Sequence, residues 1–227
     1  MNLFIPIKEK SQRVPEKNFR KLPNGESLWE HTIKKFNEFS IYIDTDSEEI
    51  LEKSKQYKHV KAYERSSRLI GHDVSVCDLI RDCISRNNLG DSSSHLGQIH
   101  VTSPLLKPET LKNAFSYIKK YDSVVSCNKL QTRLWRKENY GYAPINHNPV
   151  KLEQTQDLPE LYEENSAFYI FKCSNFFHTN LRIGSNPFFY PVSHPENIDI
   201  DTEEDWGIAM NYITDENQTS SNDKSSR

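Results

Sequence analysis

Glycine is scarce in this sequence, with seven residues in 227. None of them forms the Gly-x-x-x-x-Gly-Lys-Ser/Thr or the Gly-x-Gly-x-x-Gly pattern, so the sequence carries neither a P-loop nor a dinucleotide-binding fingerprint. The four cysteines lack any Cys-x-x-Cys spacing, which excludes zinc-ribbon and thioredoxin-like sites and favours reduced, mostly buried thiols.

An excess of positive charge and long apolar runs are absent as well. Lysine plus arginine (29) against aspartate plus glutamate (32) gives −3, so no basic surplus supports binding to a nucleic-acid backbone. No apolar run approaches the roughly 20 residues of a membrane span, and the first residues lack the features of a signal peptide. We therefore expect a cytoplasmic globular protein with neither a nucleic-acid nor a membrane partner.

Short runs rich in Ile, Val, Phe and Tyr alternate with amphipathic helical patterns, which predicts an α/β fold with a largely parallel sheet. The predicted strands are residues 3–7, 41–43, 60–63, 98–101, 123–126 and 167–171. Helical spacing predicts helices over residues 29–36, 76–84, 108–118 and 202–213. Thr202 and Asp205 form a capping-box pattern at the start of the last one.

One domain is predicted over residues 1–213. Within it, residues 128–172 are interrupted by proline, asparagine and glycine, which indicates an excursion from the main sheet. Residues 214–227 are polar with no large apolar side chain, so we expect a disordered tail.

Cations are concentrated after the first predicted strand, at Lys8, Lys10, Arg13, Lys17 and Arg20. Ligands of open α/β sheets bind beyond the carboxyl ends of the strands, where several cations can meet a chain of phosphates. Charge density alone favours a solvated basic loop, and a phosphate site is the alternative.

Asp199 and Asp201 form a second concentration of charge, just before the last helix. If this segment is extended, both carboxylates point to one side, a spacing that suits Mg²⁺ held jointly with substrate phosphates. Alternatively, Asp201 only caps the helix and Asp199 faces solvent. Asp44 and Asp46 repeat the spacing as a rival site, although Asp46 is placed to cap the helix that follows.

Several motifs follow the first strand in a fixed order. They are Ser11-x-Arg13-x-Pro15-x-Lys17-Asn18, Ile43-Asp44-Thr45-Asp46, Arg65 followed by Asp73, Thr102-Ser103-Pro104-Leu105, Gln156-Asp157-Leu158-Pro159 with Asn165 and Tyr169, and Ile198-Asp199-Ile200-Asp201-Thr202. Together, over about residues 3–213, they resemble the acylneuraminate cytidylyltransferase family. That family includes the CMP-sialic acid synthetases and, more distantly, the 3-deoxy-manno-octulosonate cytidylyltransferases.

The resemblance implies a Rossmann-like three-layer sandwich with a mostly parallel sheet, of the nucleotide-diphospho-sugar transferase type. It also implies a homodimer formed through the excursion at residues 128–172. The implied reaction transfers CMP from CTP to the anomeric hydroxyl of a sialic acid-like or other ulosonic acid, with Mg²⁺, and releases pyrophosphate. Two alternatives stay open: a GT-A-type glycosyltransferase that uses Asp44 and Asp46, and a catalytically inactive nucleotide-binding relative.

The resemblance also assigns roles to individual residues. The catalytic cations of the phosphate loop are Lys8, Arg13 and Lys17, and the residues expected to contact CTP are Ser11, Asn18, Arg65 and Ser75. The residues expected to face the sugar are His100, Thr102, Ser103, Asn165 and Tyr169, and those expected to hold the metal are Asp199 and Asp201.

The chain departs from the family pattern at three positions. Lys8 replaces an arginine and offers a point charge instead of a planar fork. His100 replaces a glutamine, and we expect it to recognise the sugar by hydrogen bonding rather than to transfer a proton. Thr155 replaces an arginine, so a cation expected near the acceptor carboxylate is missing. The candidates to replace it are Arg133, Arg136 and Lys151.

Overall fold

The computed structural model describes residues 1–10, 14–71, 73–91 and 93–224, and the backbone alone of residues 215–224. Within these residues the strands are β1 (Asn2–Ile7), β2 (Ser40–Thr45), β3 (Val60–Glu64), β4 (His95–Ile99), β5 (Ser123–Leu130), β6 (Trp135–Glu138), β7 (Gly141–Pro144), β8 (Leu161–Lys172) and β9 (Pro187–Pro191). The α-helices are α1 (Leu28–Lys35), α2 (Glu48–Ser54), α3 (Val76–Arg86), α4 (Pro108–Ser116), α5 (Cys173–Thr179) and α6 (Glu203–Lys224).

Seven strands form one sheet in the order β3-β2-β1-β4-β8-β5-β9, and β6 and β7 pair as a separate hairpin. Strand β8 runs antiparallel to both β4 and β5, while the remaining neighbours in the sheet are parallel. The parallel strands β1, β2 and β4 therefore end at one edge. The expected mostly parallel sheet is confirmed.

Helices cover both faces of this sheet because side chains alternate along each strand. Leu3, Ile5 and Ile7 of β1 belong to a core cluster that includes residues of α1, α4 and α6. Phe4 points the other way, into a second cluster with residues of α3 and α5. With one core cluster on each face of the sheet, helices, sheet and helices form the three-layer sandwich that the family resemblance implied.

Strand β4 begins and ends earlier than predicted, at His95 and Ile99 instead of residues 98 and 101. A Cβ built on Gly97 would lie 2.9 Å from a methyl of Leu3 and 3.0 Å from the Phe115 ring. The glycine therefore admits close packing of β1 and α4 against β4, although its β propensity is low. Because β4 ends at Ile99, the next residues form a turn at the carboxyl edge of the sheet.

The boundaries of the excursion and the tail differ from the prediction. Residues 128–130 extend β5 and pair with the start of β8, so only residues 131–160 lie outside the main sheet. Helix α6 continues to Lys224, where a disordered tail from residue 214 was predicted. Neither proline nor glycine follows Gly207 to end the helix. None of the described helices is long and apolar enough to cross a membrane.

Candidate active site

A pocket of about 350 Å³ opens at the carboxyl ends of β1 and β4. This volume lies in the range of about 300–1,000 Å³ that is typical of small-molecule sites. The residues that line it are Pro6, Lys8, Lys10, Lys17, Asn18, Arg65, Val74, Val76, Leu79, His100, Val101 and Thr102. The structure thus brings six of the predicted site residues together: Lys8, Lys17, Asn18, Arg65, His100 and Thr102.

Lys17 is buried at one side of this pocket, with 8% of the residue exposed. Its Nζ lies 3.7 Å from Asp201 Oδ1 and donates a hydrogen bond to the carbonyl of Ile200. A buried ammonium group requires such partners, because its transfer out of water is unfavourable. The predicted phosphate-loop cation and a predicted metal ligand are therefore neighbours, although 183 residues separate Lys17 from Ile200.

Asn18 and Lys8 hold the other side of the phosphate loop. The Asn18 side-chain amide donates to the Lys8 backbone carbonyl at 2.8 Å. The Lys8 side chain is exposed and lines the pocket. Asn18 was expected to meet a ribose, and in the structure its Nδ2 ties the loop to the end of β1. Ser11 and Arg13 lie outside the described residues.

His100 stands in the turn after β4 and lines the pocket. Burial, together with the charges of Arg182 and Lys17, lowers the pKa of its imidazole to about 4, while the charge of Asp201 opposes them. The ring is therefore neutral at physiological pH. A neutral imidazole offers one donor and one acceptor, which agrees with the expected recognition role rather than proton transfer near neutrality.

The segment that carries Asp199 and Asp201 is joined to the same turn. The Ile200 amide donates to the Thr102 carbonyl at 2.8 Å, and the Ile200 side chain is fully buried between two partly exposed aspartates. This alternation is that of an extended segment with both carboxylates on one side. The cap of α6 is Thr202, whose hydroxyl accepts from the Asp205 amide at 3.2 Å, while the Asp205 carboxylate accepts from the Asp201 and Thr202 amides.

Two carboxylates at this spacing fit a divalent ion that takes its remaining ligands from water and substrate phosphates. Groups of three or more His, Cys, Asp and Glu side chains able to hold a metal do not occur in the described part of the chain. The residues present therefore fit Mg²⁺ bound together with a nucleotide better than a site made wholly of protein ligands.

The rival pair, Asp44 and Asp46, is engaged elsewhere. Asp44 is fully buried and pairs with the Arg65 guanidinium, which also donates to the Asp44 carbonyl at 3.1 Å. Burial raises the pKa of Asp44, and the charge of Arg65 opposes that rise. Asp46 accepts from the Glu9 amide at 2.7 Å, and Ser47 occupies the N-cap position expected for Asp46. Asp44 is therefore not available as a metal ligand.

Two other predicted residues have structural partners close to the pocket. Ser75 is the N-cap of α3, where its hydroxyl accepts from the Asp78 amide at 3.2 Å, and its neighbours Val74 and Val76 line the pocket. Ser103 is buried, and its hydroxyl has no hydrogen-bond partner among the described residues.

Asn165 and Tyr169 lie on β8, beyond β4 from the phosphate loop. Asn165 donates to Asn128 at 3.1 Å, and Asn197 donates to the same oxygen at 2.9 Å. The Tyr169 hydroxyl donates to Glu164 at 2.9 Å, and Tyr169 is the register partner of Gln98 on β4. The structure therefore places Tyr169 beside β4 and Asn165 beside β5.

Sequence reasoning missed two residues beside His100. Gln98 is fully buried and lies 2.8 Å from the His100 ring, and Arg182 donates to Gln98 at 2.9 Å. Gln98 could have been found as a polar residue inside a predicted strand. Arg182 lies in a loop without a motif, so no sequence signal identified it.

Solved structures with the same fold match this chain over nearly its whole length. A CMP:2-keto-3-deoxy-manno-octonic acid synthetase solved with CTP matches with a TM-score of 0.64 at 11% identity, over 94% of this chain and 98% of that one. A 4-diphosphocytidyl-2C-methyl-D-erythritol synthase matches with a TM-score of 0.64 at 9% identity, over 93% and 98% of the two chains. At these identities the likeness shows the Rossmann-like fold and nothing finer.

The chain belongs to the cytidylyltransferase family, whose model matches residues 3–224. It is 29% identical to N-acylneuraminate cytidylyltransferase A of Danio rerio, over 77% of this chain and 41% of the relative. It is 25% identical to N-acylneuraminate cytidylyltransferase of Streptococcus agalactiae serotype V, over 92% and 52%. It is 23% identical to the post-translational flagellin modification protein B of Campylobacter coli, over 91% and 92%.

These matches confirm the resemblance that the motifs predicted. The chain spans about half or less of the length of the N-acylneuraminate cytidylyltransferases that it matches.

His100 is expected to stay neutral down to about pH 5, because the folded protein lowers its pKa to about 4. The unfolded chain takes up that proton near pH 6.5, so the free energy of unfolding should fall by roughly 1 kcal/mol between pH 6.5 and pH 5. Denaturant unfolding of the wild type and His100→Gln at both pH values measures this. The loss should be smaller in the variant, whereas His31, whose pKa burial also lowers to about 4, contributes equally in both proteins.

An equal loss of stability in the two proteins would contradict this assignment. The assignment would also be contradicted if NMR of the folded wild type showed an imidazole that titrates near pH 6.5 and whose signal is missing from His100→Gln.

Proposed function

We propose that this protein transfers CMP from CTP to the anomeric hydroxyl of a 2-keto sugar acid and releases pyrophosphate. The observation that carries the proposal is the contact of Lys17 with Asp201 at 3.7 Å, where a cation of the N-terminal loop meets a carboxylate from the segment before α6. The relatives named N-acylneuraminate cytidylyltransferase support the cytidylyl chemistry and a sugar-acid acceptor.

In the proposed reaction the triphosphate binds along Lys8 and Lys17, with Ser11 and Arg13 contributed by the loop between them. The anomeric hydroxyl gives its proton to water and its oxygen attacks the α-phosphorus, while the bond from that phosphorus to the bridging oxygen breaks to release pyrophosphate. Negative charge grows on the phosphoryl and leaving oxygens, so fixed cations stabilise the transition state more than the ground state. Alignment by a buried, hydrogen-bonded lysine adds to this effect.

The nucleoside is proposed to occupy the part of the pocket between Arg65 and the start of α3. Val74, Val76 and Leu79 give this part an apolar wall suited to a pyrimidine ring. Ser75 fixes the wall by capping α3, and Asn18 stands near the ribose end. The acceptor then lies toward the end of β4, near His100, Thr102 and Ser103, with Asn165 and Tyr169 on the adjacent strand.

We also propose that Asp199 and Asp201 hold Mg²⁺ together with the nucleotide. Bound there, the ion neutralises charge on the phosphate oxygens. The carboxylates of this chain orient it, and the Ile200 amide fixes both of them by its hydrogen bond to Thr102.

Replacement of either carboxylate should weaken the use of Mg²⁺. Asp199→Asn and Asp201→Asn are each expected to raise the Mg²⁺ concentration for half-maximal rate by roughly 10-fold or more, since loss of even an outer-shell partner has that effect. Mg²⁺ titration of pyrophosphate release measures it, with Asp91→Asn, an exposed turn carboxylate, as the matched control. Unchanged Mg²⁺ dependence in both site variants rules out this metal site.

Lys17→Met should lower kcat/KM for CTP by roughly 100- to 1,000-fold, because it removes a fixed cation from the developing charge. The assay is pyrophosphate release from CTP with a panel of ulosonic and aminated ulosonic acids. Lys21→Met is the matched control, because Lys21 pairs with Glu30 at 3.6 Å and does not line the described pocket. Circular dichroism melting checks that both variants fold.

Near-normal activity of Lys17→Met would remove the proposed phosphate site. A wild-type protein that binds CTP by calorimetry but releases pyrophosphate with none of the acids would instead be a catalytically inactive relative.

We propose further that the protein is a homodimer formed through residues 131–160. Large apolar side chains are exposed in this segment, namely Trp135, Tyr140, Tyr142, Ile145, Val150 and Leu152. Tyr140 is fully exposed and Val150 is 93% exposed, so a second copy of the chain would remove a large apolar area from water. Aromatic residues are also enriched at interfaces.

The double variant Trp135→Ser/Tyr142→Ser should weaken this dimer, because it removes two aromatic contacts from the hairpin. Analytical ultracentrifugation is expected to show a wild-type dimer and a shift of the variant toward monomer by at least about 10-fold in dissociation constant. Ile70→Ser, an equally exposed apolar position outside the segment, should leave the constant unchanged. A monomeric wild type at micromolar concentration would exclude the proposal.

A further inference from the structure

Arg182 lies between α5 and β9 and is held over the sheet by two contacts. Its guanidinium carbon lies 3.7 Å from the centroid of the Tyr169 ring, and its Nη1 donates to Gln98 Oε1 at 2.9 Å. Tyr169 and Gln98 are themselves buried and pair across β8 and β4. A stacked, hydrogen-bonded guanidinium on buried supports has a defined position, unlike an arginine that extends into solvent.

This position is beside the pocket. Gln98 and His100 are two residues apart, and the Gln98 amide nitrogen lies 2.8 Å from His100 Nε2. His100 lines the pocket, and the charge of Arg182 contributes to lowering its pKa. Arg182, Gln98 and His100 thus form one connected polar row that leads from the α5–β9 loop to the pocket.

The guanidinium has no carboxylate partner among the described residues. One of its five N–H donors is used, in the bond to Gln98, and no ion pair of the described chain includes Arg182. By contrast, the other arginine next to the pocket, Arg65, is paired with Asp44. A partly buried cation with unused donors that stands next to a pocket is suited to bind an anion.

The cations that the sequence offered for the acceptor carboxylate are engaged within the excursion. Arg133 donates to the Glu153 carbonyl, Arg136 pairs with Glu138 at 2.7 Å, and Lys151 pairs with Glu153 at 3.2 Å. Arg182 is the better placed cation, since it contacts Tyr169, which the motif pattern assigned to the sugar side.

We propose that Arg182 binds the carboxylate of the acceptor sugar acid and determines that the acceptor is an acid. The inference rests on the proposed function. Gln98 and Tyr169 act as positioning residues, because the hydrogen bond of the one and the ring of the other fix the guanidinium. Neutral His100, next in the row, adds a hydrogen bond to the sugar without repelling Arg182.

The test compares the wild type, Arg182→Gln and Arg182→Lys with the preferred ulosonic acid and with its methyl ester, which keeps the sugar and removes the charge. Arg182→Gln should raise KM for the acid by roughly 10- to 100-fold, the range for a charge-assisted hydrogen bond, and leave KM for CTP within about twofold. The wild type should prefer the acid strongly, and the preference should disappear in Arg182→Gln and persist in part in Arg182→Lys.

Arg81→Gln is the matched control. Arg81 is also stacked, 5.3 Å from the Phe177 ring centroid, but Asn180 and the Phe177 carbonyl satisfy its donors and it does not line the described pocket. This variant should retain the wild-type KM for the acid.

The possible failures are distinguishable. If the wild type turns over the acid and Arg182→Gln keeps both its KM and its preference for the acid over the ester, the assignment of Arg182 is overturned and the proposed function stands. If the wild type releases no pyrophosphate with any acid, the proposed function fails and this inference fails with it. If Arg182→Gln melts early, or its KM for CTP rises by more than about twofold, the role of Arg182 is structural and its assignment to the acceptor carboxylate is overturned.

Discussion

The buried amine of Lys17 is the contact on which the rest of the candidate site depends. A lysine ammonium is removed from water only where other groups replace its hydration, and here the Ile200 carbonyl and the Asp201 carboxylate do so. This contact joins the loop after β1 to the segment before α6. Arg20 strengthens the same junction through Glu203, at 2.6 Å, and through the Trp206 ring, 4.5 Å away. The loop after β1 and the segment before α6 thus meet at Lys17, which lines the pocket.

The charges around the pocket are divided between pairs that are internal to the fold and groups that face a ligand. Asp44 and Arg65 neutralise each other in the interior, which is why the Asp44 and Asp46 pair does not act as a second carboxylate site. Removal of one partner of such a pair leaves an uncompensated buried charge, so the pair is part of the scaffold. Lys8 and Lys17, by contrast, line the pocket.

Sequence patterns predicted the layers and most of the strands because a parallel strand buried on both faces is a short apolar run. They did not predict β9, whose proline ends are compatible with its place at the edge of the sheet, or the reversed direction of β8. They also singled out Lys17 and Asp201 as candidate site residues, but the 3.7 Å contact between them depends on tertiary packing. Arg182 was missed for the same reason: only the fold brings that loop to Gln98.

The Lys17–Asp201 contact also bears on how a nucleotide would enter. In the free protein the Lys17 ammonium and the Asp201 carboxylate neutralise each other. In the proposed reaction a triphosphate binds together with a divalent ion. The phosphate oxygens would replace Asp201 as the partner of Lys17, and the ion would replace Lys17 as the partner of Asp201. Because the Ile200 carbonyl and the Thr102–Ile200 hydrogen bond keep both groups in position, the exchange requires little rearrangement. Such preorganisation is the main way in which a fixed site stabilises a charged transition state.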